Sequence, residues 1–149
     1  MKPDKSKPIY IAGPMTGLPQ FNVPLFERVA RELRAQGLKV ISPVELDSQY
    51  IREEALASPD GAMPLNGKIG GETWGEILGR DVRVIADQVG AIATLPNWHK
   101  SRGARLEVFV GLLCKLPLYT CAIDVFSTPV MLLELSAPEA VHHIARSFR

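Results

Sequence analysis

Apolar positions along this chain alternate between a period near two and a period near 3.6, and the alternation predicts the elements. Residues 8–12 (Pro-Ile-Tyr-Ile-Ala) form a short apolar run closed by Gly13-Pro14, which reads as a buried first strand. The loop over residues 13–19 is too rich in glycine and proline to be helical. Over residues 23–36 the spacing becomes helical. Leu25, Phe26, Val29, Ala30 and Leu33 fall on one face, with Arg28, Arg31, Glu32 and Arg34 elsewhere. Asn22 suits an N-cap, Pro24 the first turn and Gly37 the stop. Residues 38–42 read as the next strand, ended by Pro43. A strand–helix–strand unit of this kind predicts a parallel sheet with a right-handed crossover.

Residues 45–73 are the least regular part, with loop chemistry at Ser58-Pro59-Asp60-Gly61 and again over residues 66–71. A short helix near residues 49–56 interrupts them. A connection this long inside a compact domain is usually a lid, a binding loop or disordered. Residues 74–87 return to helical spacing through Trp74, Ile77, Leu78, Val82 and Ile85. A third strand follows at 90–95, a third main helix at 103–114 and a fourth strand at 118–123. Residues 130–135 fit a fifth strand, and residues 137–148 a final amphipathic helix capped by Ser136. The expected architecture is a small doubly wound α/β domain, Rossmann-like or flavodoxin-like, with a parallel sheet flanked by helices. No internal repeat or linker divides it, so residues 1–149 read as one domain, with a flexible leader at 1–7 and an unassigned tail at 124–149.

Composition narrows the class of function. With 17 basic and 16 acidic residues the net charge is +1, which gives no surface for coating nucleic acid. Cys114 and Cys121 sit in apolar segments without C-x-x-C spacing and read as reduced core thiols, which favours the cytoplasm. No signal peptide is visible, and no stretch reaches the roughly 18 apolar residues of a membrane helix. His99, His142 and His143 make no H-E-x-x-H pattern, so neither a protein-built zinc site nor another cofactor is expected.

In an open parallel sheet, ligands bind outside the carboxyl ends of the strands. Two loops predicted there carry glycine and small polar groups: residues 13–19 and residues 95–103. Neither matches G-x-G-x-x-G or the Walker loop, and each alone is also explained as an ordinary tight turn. Singly, the candidate side chains have bland readings too. Glu107 near a helix start reads as a helix-dipole residue, and Asp81 between Arg80 and Arg83 as a solvated ion pair. Tyr10 reads as a core aromatic, Trp98 either as a cover for an apolar edge or as a base-stacking ring, and His99 as exposed loop.

Taken together, three segments resemble the nucleoside 2-deoxyribosyltransferase superfamily, and more narrowly its short phage and prophage members similar to 2′-deoxynucleoside 5′-phosphate N-hydrolases. They are Tyr10-Ile11-Ala12-Gly13-Pro14-Met15, Arg80-Asp81, and Ser101-Arg102-Gly103-Ala104-Arg105-Leu106-Glu107. The resemblance spans residues 9 to about 122. It implies cleavage of the N-glycosidic bond of a deoxynucleoside or its 5′-monophosphate, with transfer to a second base or to water. It assigns Glu107 as the nucleophile at the anomeric carbon, Tyr10 as the residue that orients it, and Asp81 as the group that helps the base leave. It also places Gly13, Met15, Thr16, Asn22, Trp98, Ser101 and Gly103 at the substrate. The chemistry suits those residue types: a carboxylate stabilises and can trap an oxocarbenium-like sugar, and a carboxyl of raised pKa can protonate the leaving base.

Ser101 stands six residues before Glu107, where nucleoside-using relatives carry Asp and monophosphate hydrolases carry Ser. A neutral donor suits a phosphate that a carboxylate would repel. The expected substrate is therefore a small-molecule 5′-monophosphate, with Lys100, Arg102 and Arg105 available to add positive potential or to serve only as a solvated basic loop. Departures from the hydrolase pattern are Pro14 and Thr16 in the first loop, Arg105 for a glycine, and Gly90 for an aspartate. Gly90 and the missing first-loop arginine motivate an alternative, a non-catalytic nucleotide-sensing domain of the same fold. The resemblance also implies a homodimer or larger homo-oligomer, and the apolar run at residues 108–113 offers a helix for it.

Overall fold

The computed structural model describes residues 2–124 and 129–148; residues 1, 125–128 and 149, which fall in the expected leader and tail, lie outside the described residues. In chain order the elements are β1 (Ile9–Ala12), α1 (Val23–Ala35), β2 (Val40–Ile41), α2 (Pro43–Leu46), α3 (Gln49–Ala57), β3 (Lys68–Ile69), β4 (Glu72–Thr73), α4 (Trp74–Gln88), β5 (Ala91–Thr94), α5 (Arg102–Leu113), β6 (Leu118–Ala122), β7 (Met131–Leu135) and α6 (Ala137–Arg146). The main sheet runs β2-β1-β5-β6-β7, parallel throughout except for β7, which pairs antiparallel with β6. This is the expected Rossmann-like α/β architecture. The strand expected at 130–135 and the helix expected at 137–148 both form, but the strand closes one edge of the sheet in the opposite direction.

Strand alternation assigns each face its residues. Ile9 and Ile11 of β1 join the cluster built on Phe26, Val29 and Leu33 of α1. Tyr10 and Ala12 point the other way, into the cluster with Ile85 of α4 and Ala104 and Val108 of α5. Tyr10 therefore faces the two helices that carry Asp81 and Glu107. The close seating of α5 needs a glycine: a Cβ on Gly111 would lie 2.4 Å from Ile92 Cδ1.

Several local expectations are corrected. The second strand is only two residues long, because the chain turns at Ser42 into α2. The short helix expected near residues 49–56 forms as α3, and residues 45–73 also hold the end of α2 and the unexpected β3–β4 hairpin. Asn22 does not cap α1 through its side chain. Its φ is 61°, and Nδ2 donates instead to the Pro14 carbonyl at 2.9 Å, bracing the first loop. α4 starts on a capping box that the pattern did not reveal, with Thr73 Oγ1 accepting from Glu76 N and Glu76 Oε2 from Thr73 N. Ser136 does cap the last helix, accepting from Glu139 N at 3.2 Å. Cys121 is buried, but Cys114 is exposed at the end of α5 rather than in the core. Among the described residues no helix is long and apolar enough to cross a membrane.

Candidate functional site

β1 and β5 lie side by side with Ala12 opposite Thr94, at the point where the connections diverge to the two sides of the sheet. That is where a doubly wound sheet opens a crevice. The loops leaving both strands help line a cavity of about 530 Å³, within the usual size range of ligand pockets. α3 and the β3–β4 hairpin supply its apolar wall through Ile51, Ala55 and Ile69, and Phe21 and Met15 add to it. The irregular segment is thus a wall of the cavity. Its position depends on Gly61 and Gly70, which have positive φ and approach the Leu18 and Ile51 backbone too closely for any Cβ.

The opposite wall is acidic and centred on one arginine. Glu107 on α5 and Asp81 on α4 both line the cavity, and each is only 6% exposed. Tyr10 lies fully buried behind them, and its hydroxyl donates to Glu107 Oε2. Arg80 Nε and Nη2 both donate to Asp81 Oδ1, at 2.9 and 2.7 Å. Arg80 Nη1 forms a 2.9 Å ion pair with Asp47, which follows α2 and also borders the cavity. The ion pair expected at Asp81 therefore exists, but it is buried at the cavity rather than solvated.

Burial sets the protonation behaviour of this wall. It pushes Asp81 up to about 6, against the pull of Arg80 and with help from the charge of Asp47. Burial likewise raises Glu107 well above the ordinary carboxylate range; the Asp81 charge adds to this, and the Tyr10 hydrogen bond opposes it. Tyr10 is raised as well, first by burial and then by the Glu107 charge, so it stays a donor. The charge of Asp81 thus makes Glu107 harder to ionise, while the reluctance of Asp81 itself comes from burial and from Asp47.

The residues expected at the substrate divide into two groups. Gly13, Met15, Thr16, Ser101 and Gly103 line the cavity beside Glu107 and Asp81. Gly13 also has a packing reason to be glycine, since a Cβ there would sit 2.7 Å from Leu95. Trp98 is 4% exposed in the core cluster with Tyr10 and Ala104 and does not line the cavity, which decides for its covering role. Asn22 braces the loop and is not a lining residue either. Lys100 and Arg102 reach the cavity, whereas Arg105 donates to the His99 carbonyl at 3.1 Å. His99 is not free loop: α6 covers it, with the His143 ring stacked 5.1 Å away. Gly90 lies at the amino end of β5, away from the cavity, where a Cβ would strike Lys7.

The sequence reading missed Phe21, Asp47 and Trp74. Phe21 is held at φ 51° between two further left-handed residues, Gln20 and Asn22, an unusual backbone that costs about 1–3 kcal/mol per residue. Trp74 carries the Arg102 guanidinium over its ring at 4.0 Å. Among the described residues no group of three or more His, Cys, Asp or Glu could hold a metal ion.

A family model described as "Domain of unknown function (DUF4406)" matches residues 7–120, and the chain belongs to that family. No curated protein matches it. The matched span includes Tyr10, Asp81, Ser101 and Glu107 and ends within β6.

Proposed function

We propose that this member of the DUF4406 family cleaves the N-glycosidic bond of a 2′-deoxynucleoside 5′-monophosphate by the mechanism of the nucleoside 2-deoxyribosyltransferase superfamily. The observation that carries the reading is a buried Glu107, held by the Tyr10 hydroxyl, on the same cavity wall as Asp81. Three separate elements converge there. Glu107 attacks the anomeric carbon as the bond to the base breaks, and the bonding electrons leave with the base. Asp81 delivers a proton to that base. Tyr10 holds Oε2, leaving Oε1 to form the ester. Water or a second base then displaces the sugar from Glu107, completing hydrolysis or base exchange.

The phosphate fits the start of α5. Ser101 Oγ accepts from Ala104 N at 3.2 Å, so its own hydrogen is free to donate. Arg102, Lys100 and the helix N-terminus add positive potential. Ser101 and Glu107 are six residues apart, about 9 Å along the helix axis, a span suited to a 5′-phosphate at one end and an anomeric carbon at the other. Of the two tryptophans, Trp74 rather than Trp98 lines the cavity, where its ring seats the Arg102 guanidinium. The non-catalytic alternative loses one of its motives, because Gly90 sits away from the cavity.

Incubation with a panel of deoxynucleoside 5′-monophosphates is expected to release free base; tight binding with no release would favour the sensing alternative. Ser101→Ala is expected to raise KM for the monophosphate about 10- to 100-fold, the loss of one hydrogen bond to a charged group. The matching unphosphorylated nucleoside is expected to change little. Equal losses on both would place the phosphate elsewhere.

The same reading makes the protein a cytoplasmic homo-oligomer. Leu106, Phe109 and Leu113 form an exposed apolar stripe on α5, at 39%, 47% and 68% exposure. Phe109→Glu is expected to dissociate the oligomer in light scattering, and a monomeric wild type would contradict it.

A further inference from the structure

The acidic wall contains a carboxylate that the proposed chemistry leaves without a task. Asp47 comes from the irregular segment, yet its side chain is only 6% exposed and ion-paired to Arg80. Arg80 lies between two carboxylates: Nη1 faces Asp47, while Nε and Nη2 converge on Asp81 Oδ1. Its Nη2 also reaches the Pro43 carbonyl at 3.3 Å, which ties it to the start of α2. The guanidinium is therefore pinned by the same short segment that delivers Asp47. A single positive charge shared between two buried carboxylates neutralises neither fully.

We propose that Asp47 is a positioning residue for the acid step: by holding one side of Arg80 it keeps that arginine from fully claiming Asp81, and so keeps the leaving-group proton on Asp81. The inference rests on the reading of Asp81 as the acid. The groups facing Asp81 are Arg80 on its own helix, Asp47 after α2, Tyr10 on β1 and Glu107 on α5. Facing Asp47 are Arg80 and Glu72 of β4. Asp47 raises the proton affinity of Asp81 and Arg80 lowers it, while the charge of Asp81 raises that of Glu107. Removing the charge of Asp47 leaves Arg80 unopposed beside Asp81. The proton then leaves Asp81 at lower pH, although no atom in contact with substrate has changed.

The pH profile of base release reads this directly. Asp47→Asn is expected to move the basic limb of kcat/KM toward acid by about one pH unit, the low end of what one neighbouring charge does. At pH 7 that is a loss of about tenfold. Asp47→Glu, which restores the charge, is expected to return the limb toward its wild-type place. A rise in KM with the limb unmoved would instead make Asp47 a direct substrate contact and overturn the proposal.

A second measurement needs no activity. In the folded protein, the ¹³C signal of the Asp81 carboxyl is expected to titrate about one pH unit lower in Asp47→Asn than in the wild type. An unmoved titration overturns the inference even if base release is observed. A shift without base release leaves the Asp47–Arg80–Asp81 coupling standing and rejects the catalytic reading on which its purpose depends.

Discussion

Glu107→Gln is expected to abolish base release and to melt at a higher temperature than the wild type. Both effects come from the same burial. The side chain is 6% exposed and its carboxyl is raised well above the ordinary range, so at pH 7 folding must either bury its charge or bind a proton to it. The amide does neither, and its oxygen can still accept from the Tyr10 hydroxyl. Relief of this kind is commonly worth about 0.5–2 kcal/mol, or a few degrees in Tm for a chain of this size. The amide is also no nucleophile, and removing a nucleophile typically lowers turnover by about 10⁴-fold or more. Calorimetry on the variant together with a base-release assay checks both. A less stable Glu107→Gln protein, or one with unchanged turnover, would mean that the carboxylate is a structural ion.

Asp81→Asn is expected to slow base release by about 10²–10⁴-fold, the usual worth of general acid help. The loss should shrink on a substrate whose leaving group needs no proton, such as a nitrophenyl deoxyriboside phosphate. Equal losses on both substrates would assign Asp81 to binding or to folding. Asp81 also makes stability depend on pH. Its folded value of about 6 lies above the ordinary 3.8, so between these values the folded chain binds more protons than the unfolded one. Its contribution is complete below the unfolded value and is lost as pH rises through about 6, a difference of about 3 kcal/mol. Glu107 acts in the same direction. Wild-type Tm is therefore expected to fall between about pH 4 and pH 6 as Asp81 ionises, and Asp81→Asn to flatten that fall.

Much of this site was present in the periodicity. Tyr10 alternates with Ile9 and Ile11, and that alternation alone sends it to the face carrying α4 and α5. Asp81 shares the buried stripe of α4 with Leu78 and Ile85, and Glu107 shares that of α5 with Ala104, Val108 and Gly111. An acid on an apolar stripe argues for burial against the surface-pair reading, which looked only at the flanking arginines. Other features had no local signal. Asp47 and Phe21 reach the cavity through the packing of α2, α3 and the left-handed turn before α1, where no hydrophobic period exists. Trp98 and His99 are buried or covered by α6, more than thirty residues away in sequence. The direction of β7 follows from a physical limit that the apolar run itself does not carry: a parallel return needs a crossover of roughly a dozen residues or more, and the connection from Ala122 to Met131 is shorter.

The central claim is that Glu107 becomes covalently bonded to the sugar. Rapid-quench intact-protein and peptide mass spectrometry on the enzyme mixed with a deoxynucleoside 5′-monophosphate tests it most directly. The expected result is a transient adduct of the 2-deoxyribose 5-phosphate residue on the peptide containing Glu107, formed as base is released and absent from Glu107→Gln. Base release with no adduct at any quench time, or an adduct on another residue, would contradict it.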